Sequence, residues 1–153
     1  MNTQENLALS GRLRIEVRSP DGAVKDSREI DNLVVNAGLA FIASRMTGTA
    51  QAVMSHVGIG SGATAAAAAQ TDLGSLLGSR KALSSTTIVG ANSNQVQYVA
   101  AFNAGESTGA VTEAGIFNAA SSGTMLCRTT FAVVNKDAND TLTITWTITL
   151  SAV

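Results

Sequence analysis

Histidine, cysteine, proline, tryptophan and tyrosine each occur once in this 153-residue chain, and only 14% of its residues are charged. One histidine and one cysteine exclude a disulfide framework within the chain and a Cys/His zinc cluster within one copy. A single proline and 4% aromatic residues exclude a proline-rich linker and a large aromatic stacking platform. Ten basic residues against eleven acidic ones leave a formal charge of -1. No global field draws the chain to nucleic acid, an anionic membrane or acidic substrates, so neither a nucleic-acid nor a membrane partner is expected. No apolar stretch approaches the roughly 18 residues of a membrane-spanning helix. The start, Met1 to Val17, lacks a basic stretch followed by an apolar run and a small-residue cleavage site. The expectation is a soluble protein made in the cytoplasm.

What is present is a core and an uneven distribution of charge. Hydrophobic residues are 45% of the chain, enough for one domain of this length. Residues 1–31 hold eleven of the 21 charges, leaving ten for residues 32–153. The division predicted is a charged N-terminal hairpin or arm over 1–31 and a domain over 32–153. A nearly uncharged surface of that extent points to burial against copies or partners.

Leu13, Ile15 and Val17 alternate with Arg12, Arg14, Glu16 and Arg18, and Ser19-Pro20-Asp21-Gly22 supplies turn chemistry. This is a hairpin whose opposite charges pair across its outer face. Leu33 to Val35 reads as a strand end. Asn36 then caps a helix over about 37–47 with Leu39, Ile42 and Met46 on its inner stripe and Gly48 as its C-terminal cap. A second short helix is predicted over about 71–78, after the glycine-rich Gly58 to Gly62 and the alanine run Ala65 to Ala69. Strands are predicted at 54–59, 82–89, 95–102, 110–117, 124–134 and 141–151, a spacing that argues for an antiparallel sandwich or barrel. The last is the strongest, with Leu142, Ile144, Trp146, Ile148 and Leu150 alternating against five threonines.

Candidate chemistry is thin. His56 is the only imidazole, and its neighbour Ser55 is expected on the opposite face of a strand, so no nucleophile and base pair is predicted. Gly58-Ile59-Gly60-Ser61-Gly62 matches neither the dinucleotide fingerprint nor the Walker loop and reads as a strand exit. Asn135 to Asp140 lacks the central glycine and distal glutamate of an EF-hand and reads as a turn. Glu106 and Glu113 are too isolated for a paired acid and base. Cys127 reads as a buried, inert thiol. No catalytic, cofactor or metal residue is assigned, and an enzyme is not expected.

Five stretches carry a resemblance: Asn36 to Ala43, His56 to Gly62, Thr112 to Asn118, Gly123 to Arg128 and Asp140 to Trp146. In this order they resemble small virion structural proteins of tailed bacteriophages, over about the last four fifths of the chain. The resemblance implies a mainly β, antiparallel β-sandwich of jelly-roll type. It implies a capsid cement or decoration protein, made in the host bacterial cytoplasm and residing in the virion. Such a protein self-associates as a dimer or trimer and bridges major capsid subunits or other virion proteins. A neck, baseplate or tail-fibre component is the alternative, and a receptor- or glycan-binding module is a third. On this reading Arg12, Arg14, Arg18, Lys25 and Arg28 form the docking edge. Thr143, Thr145 and Thr147, with the alanine segment 63–70, lie at copy-to-copy contacts. A cut after Asp31 is expected to abolish shell binding and leave a folded domain.

Overall fold

A computed structural model describes residues 4–153, so the first three residues of the 1–31 segment lie outside the described part. In chain order the elements are β1 (Leu7–Arg18), β2 (Val24–Asp31), β3 (Leu33–Val34), α1 (Asn36–Ser44), β4 (His56–Gly60), β5 (Lys81–Ala82), β6 (Ser85–Val89), β7 (Gln95–Phe102), β8 (Gly109–Phe117), β9 (Met125–Lys136) and β10 (Thr141–Ala152). They form two five-stranded sheets, in the orders β2-β1-β10-β7-β6 and β3-β9-β8-β4-β5. Every pairing is antiparallel.

The alternation that marks β1 and β10 in the sequence becomes one face of the first sheet. Leu13, Ile15 and Val17 lie opposite Trp146, Ile144 and Leu142, and all six are buried. They share a core cluster with Val57, Ile59, Val111, Ile116 and Cys127 of the second sheet. Trp146 keeps its indole N–H satisfied by donating to Asn32 Oδ1 at 2.7 Å, which is how a buried indole avoids an unpaired donor.

The charged hairpin is therefore not an appendage, because β1 lies between β2 and β10. Leu13, Ile15 and Val17 together contribute about 5–9 kcal/mol of apolar burial, against a typical net domain stability of about 5–15 kcal/mol. A cut after Asp31 would remove this contribution and open an edge along β10. That placement argues against the expectation that the remainder stays folded.

Five further local expectations are corrected. The predicted strand 82–89 is two strands: Lys81–Ala82 pairs with β4 in the second sheet, and Ser85–Val89 pairs with β7 in the first. The helix starts at Asn36 behind an extended Val35 and ends at Ser44, with Arg45 rather than Gly48 at its C-terminal cap. Asn36 does not cap it; its amide donates to Ala68 O at 2.8 Å. Gly38 and Phe41 are its buried positions, whereas Leu39 and Met46 are 47% and 87% exposed. Gly38 packs against the carbonyl of Leu126, where a β-carbon would collide with backbone, and this close approach sets the rotation of the helix.

The fifth is the helix expected over 71–78, which does not form. The backbone amides that a helix would use internally are turned elsewhere. Those of Gly74 and Ser75 donate to the Glu113 carboxylate, and that of Leu77 donates to Ile59 O at 2.9 Å. The segment is an irregular strap that sets Leu73 against Gly58 and Gly115 on the outer face of the second sheet and then runs along the edge of β4, where Leu76 bridges Gly60.

Candidate functional site

Two places concentrate polar chemistry, one on each sheet. On the first sheet, the period of two sends Arg12, Arg14, Glu16 and Arg18 of β1 outward, beside the outward threonines of β10. Arg12 lies opposite Thr147, Arg14 opposite Thr145, Glu16 opposite Thr143 and Arg18 opposite Thr141. Gln97 and Gln95 of β7 lie beyond Thr147 and Thr149. A shallow groove of about 520 Å³ runs across this face, with Arg12, Arg14, Gln97, Thr145 and Thr147 among its lining residues. A neighbouring depression between Arg14, Glu16, Arg18, Thr143 and Thr145 continues it.

Six residues named from the sequence thus meet on one face, although they come from opposite ends of the chain. Their charges are matched: Arg12 pairs with Glu29 across to β2 at 2.9 Å, and Arg14 and Arg18 both reach Glu16, at 3.1 and 2.7 Å. Only the first of these is the cross-strand pairing expected of the hairpin. With Asp31 beside Arg12, three guanidiniums face three carboxylates. The face is polar and hydrogen-bonding without a net field.

Lys25 and Arg28 do not belong to it. Arg28 lies opposite Ile15, on the inner side of the edge strand, and donates to the carbonyls of Ala132 and Val133 in β9 at 2.7 and 2.9 Å. It ties the two sheets together. Lys25 reaches the turn between β9 and β10, donating to Asp137 at 2.9 Å and to Asp140 at 2.5 Å. Those two carboxylates raise the Lys25 pKa above its ordinary value, and Lys25, together with the backbone amide of Asp137, holds the nearly buried Asp140 below its own. Both cations act inside the fold, where the sequence reading had placed them on a docking edge.

On the second sheet is a cluster that sequence reasoning missed. Glu113 of β8 and Arg128 of β9 are fully buried. Arg128 Nε and Nη2 donate to Glu113 Oε2 at 3.0 and 2.7 Å. The amides of Gly62, Gly74 and Ser75 donate to the same carboxylate at 2.9, 2.9 and 2.7 Å, and Arg128 Nη1 donates to Gln70 at 2.8 Å. Burial by itself would raise the carboxyl pKa, but the three amides and the guanidinium outweigh it and hold the group below the ordinary carboxylate range.

This cradle explains the glycine-rich run. Gly58, Gly60 and Gly62 occupy every second position, so all three face the strap. A β-carbon on Gly60 or Gly62 would strike the Glu113 carboxylate, and one on Gly58 would crowd Leu73 and Leu76. The run does cradle an anion, but the anion is the chain's own glutamate. The signal available in the sequence was the alternation of glycines opposite a lone carboxylate in a strand otherwise free of charge.

Ser55 and His56 are also differently placed than expected. Ser55 Oγ and His56 Nδ1 are 2.8 Å apart, because Ser55 lies just before β4, where strand alternation does not govern it. No carboxylate hydrogen-bonds the imidazole among the described residues, so the pair lacks the third group that orients a catalytic base. Cys127 is buried as expected, and burial pushes its thiol pKa well up. The described residues contain no cluster of three or more metal-ligating side chains and no helix long and apolar enough to cross a membrane.

No protein-family model, curated protein or solved structure matches the chain.

Proposed function

We propose that this chain is a structural protein of a tailed-phage virion, of the capsid cement or decoration type, which docks on major capsid subunits through the outer face of its first sheet. The observation that carries the reading is the convergence of Arg12, Arg14 and Arg18 with Thr143, Thr145 and Thr147 on one face. A face of matched charges and hydroxyls suits many weak, hydrogen-bonded contacts repeated over a lattice, where small contributions add. The resemblance on which the reading rests is also spatially coherent. Four of its five stretches supply α1, β4, β8 and the start of β9, and between them they contribute Glu113, Arg128 and the glycines at 60 and 62.

The jelly-roll part of the reading is supported by nested pairing, since β1 with β10 in the first sheet encloses β3 with β9 in the second. Sugar binding is the weaker reading. Trp146 is fully buried and Tyr98 is 7% exposed, so neither presents a ring for a sugar face to stack on.

The test is the copy number of this protein in purified virions, by quantitative mass spectrometry against the major capsid protein. A ratio near one or one half is expected. A ratio in the hundredths would move the protein to the neck or tail, and absence from virions would overturn both readings.

A further inference from the structure

The two edges of the first sheet are guarded to very different degrees. The edge strand β2 carries Lys25, Asp26, Arg28, Glu29 and Asp31 among its eight residues, and Asp26 and Arg28 lie on its inner side, opposite Val17 and Ile15. Charges so placed resist pairing with another chain. The opposite edge strand, β6, reads Ser-Thr-Thr-Ile-Val, with four of its five residues exposed. It has no charge and no proline, and its only strand partner is β7.

The space behind β6 is also open. Arg28 closes the gap between the sheets at the β2 edge. At the β6 edge, Thr86 and Ile88 border an apolar groove of about 480 Å³ that runs to Val53, Tyr98, Ile148 and Leu150. Ile88 and Val53 are 66% and 59% exposed.

We infer that β6 is the edge through which two copies of this chain pair, antiparallel about a two-fold axis at Thr87, joining two five-stranded sheets into one of ten. The strand is complementary to itself. Reversed onto a copy, it sets Thr87 against Thr87, a favourable cross-strand pair, Ser85 against Val89 and Thr86 against Ile88, with no like charges opposed. Alternation is preserved, so Ile88 of each copy falls on the groove side, where it covers the exposed apolar mouth. Five residues of strand span only about 17 Å, short of the roughly 800 Å² per partner of a standard interface. Ile88 and Val53 must supply the remainder, and the dimer is accordingly concentration-dependent. The inference names the surface for the self-association included in the proposed function. It stands on β6 rather than on a virion location, so copy number tests one and solution mass tests the other.

The experiment is sedimentation velocity on the purified full chain over a range of concentrations, with three variants. The native protein is expected to move from 15.6 kDa toward twice that mass as concentration rises. Thr87→Lys, a change at an exposed position that places two ammonium groups together on the axis, should weaken the dimer at least tenfold without shifting the melting temperature at concentrations where the native chain is monomeric. Thr87→Cys should cross-link into dimers with a short bis-maleimide, whereas Ser27→Cys on the β2 edge should not; the native Cys127 is buried and out of reach. A native chain that stays monomeric at every concentration, a dimer indifferent to Thr87→Lys, or cross-linking through Ser27→Cys in place of Thr87→Cys would overturn the inference.

Discussion

The outer face of the first sheet carries its matched charges in water, whereas the second sheet buries the pair Glu113 and Arg128, and the two arrangements do different work. Arg12, Arg14 and Arg18 are 64%, 57% and 48% exposed on their side chains. Water screens such pairs, which are worth about 0–1 kcal/mol each. They leave a surface free to exchange its partners for those of another protein. Glu113 and Arg128 are at most 1% exposed; Arg128 donates to Glu113 and Gln70, and Glu113 also accepts from the amides of Gly62, Gly74 and Ser75. Here charge organises the fold, because a carboxylate taken from water must be met by every donor within reach.

The comparison can be broken most severely at Arg128. Arg128→Met leaves the buried Glu113 without its counter-charge and should cost about 3–5 kcal/mol, read as a lowered urea midpoint at constant slope. Adding Glu113→Gln to that variant should restore part of the loss, because an uncharged side chain keeps an acceptor for the strap amides. A double variant no more stable than the single one would show that the charge itself is not what the site stabilises.

Acid sharpens the contrast next. Glu113 is held below its ordinary value of 4.5, so its contribution is fully present above that pH and is lost as the pH falls through the lower folded-state value. The stability gap between the native chain and Glu113→Gln should therefore be widest above pH 4.5 and narrow on acidification. A gap that does not change with pH would remove the carboxylate from the account. The smallest effect belongs to the first sheet. Arg12→Ala and Arg14→Ala should each shift stability by less than about 0.5 kcal/mol in denaturant unfolding. Their expected consequence is weaker attachment to capsid shells in a co-sedimentation assay.

Much of the framework was legible from period and turn chemistry. β7, β8, β9 and β10 lie within two residues of their predicted bounds because alternating apolar side chains and Asn/Gly turns act locally. Residues 81–89 were not, since Leu83 and Ser84 carry the chain from one sheet to the other inside a single β-prone run. The helix stripe was misjudged for a related reason. Leu39 and Met46 have the correct spacing, but the contact of Gly38 with the Leu126 carbonyl decides which side turns in. Of the candidate site, the outward arginines and threonines could be read from alternation. That Lys25 and Arg28 leave that face could not, because it depends on a bulge near Arg18 and on the carbonyls of a distant strand.

By itself the sequence determined that this is a mainly β chain with one charged hairpin, an apolar row centred on Trp146 and a buried thiol, because burial patterns of period two are written in neighbouring residues. Tertiary structure alone decided that the hairpin is part of the core sheet, that β2 is a closed edge and β6 an open one, and that Glu113 gathers the amides of Gly62, Gly74 and Ser75. Those outcomes depend on which strands become neighbours, and a pairing between Glu113 and Gly62, fifty-one residues apart, leaves no periodic trace in the chain.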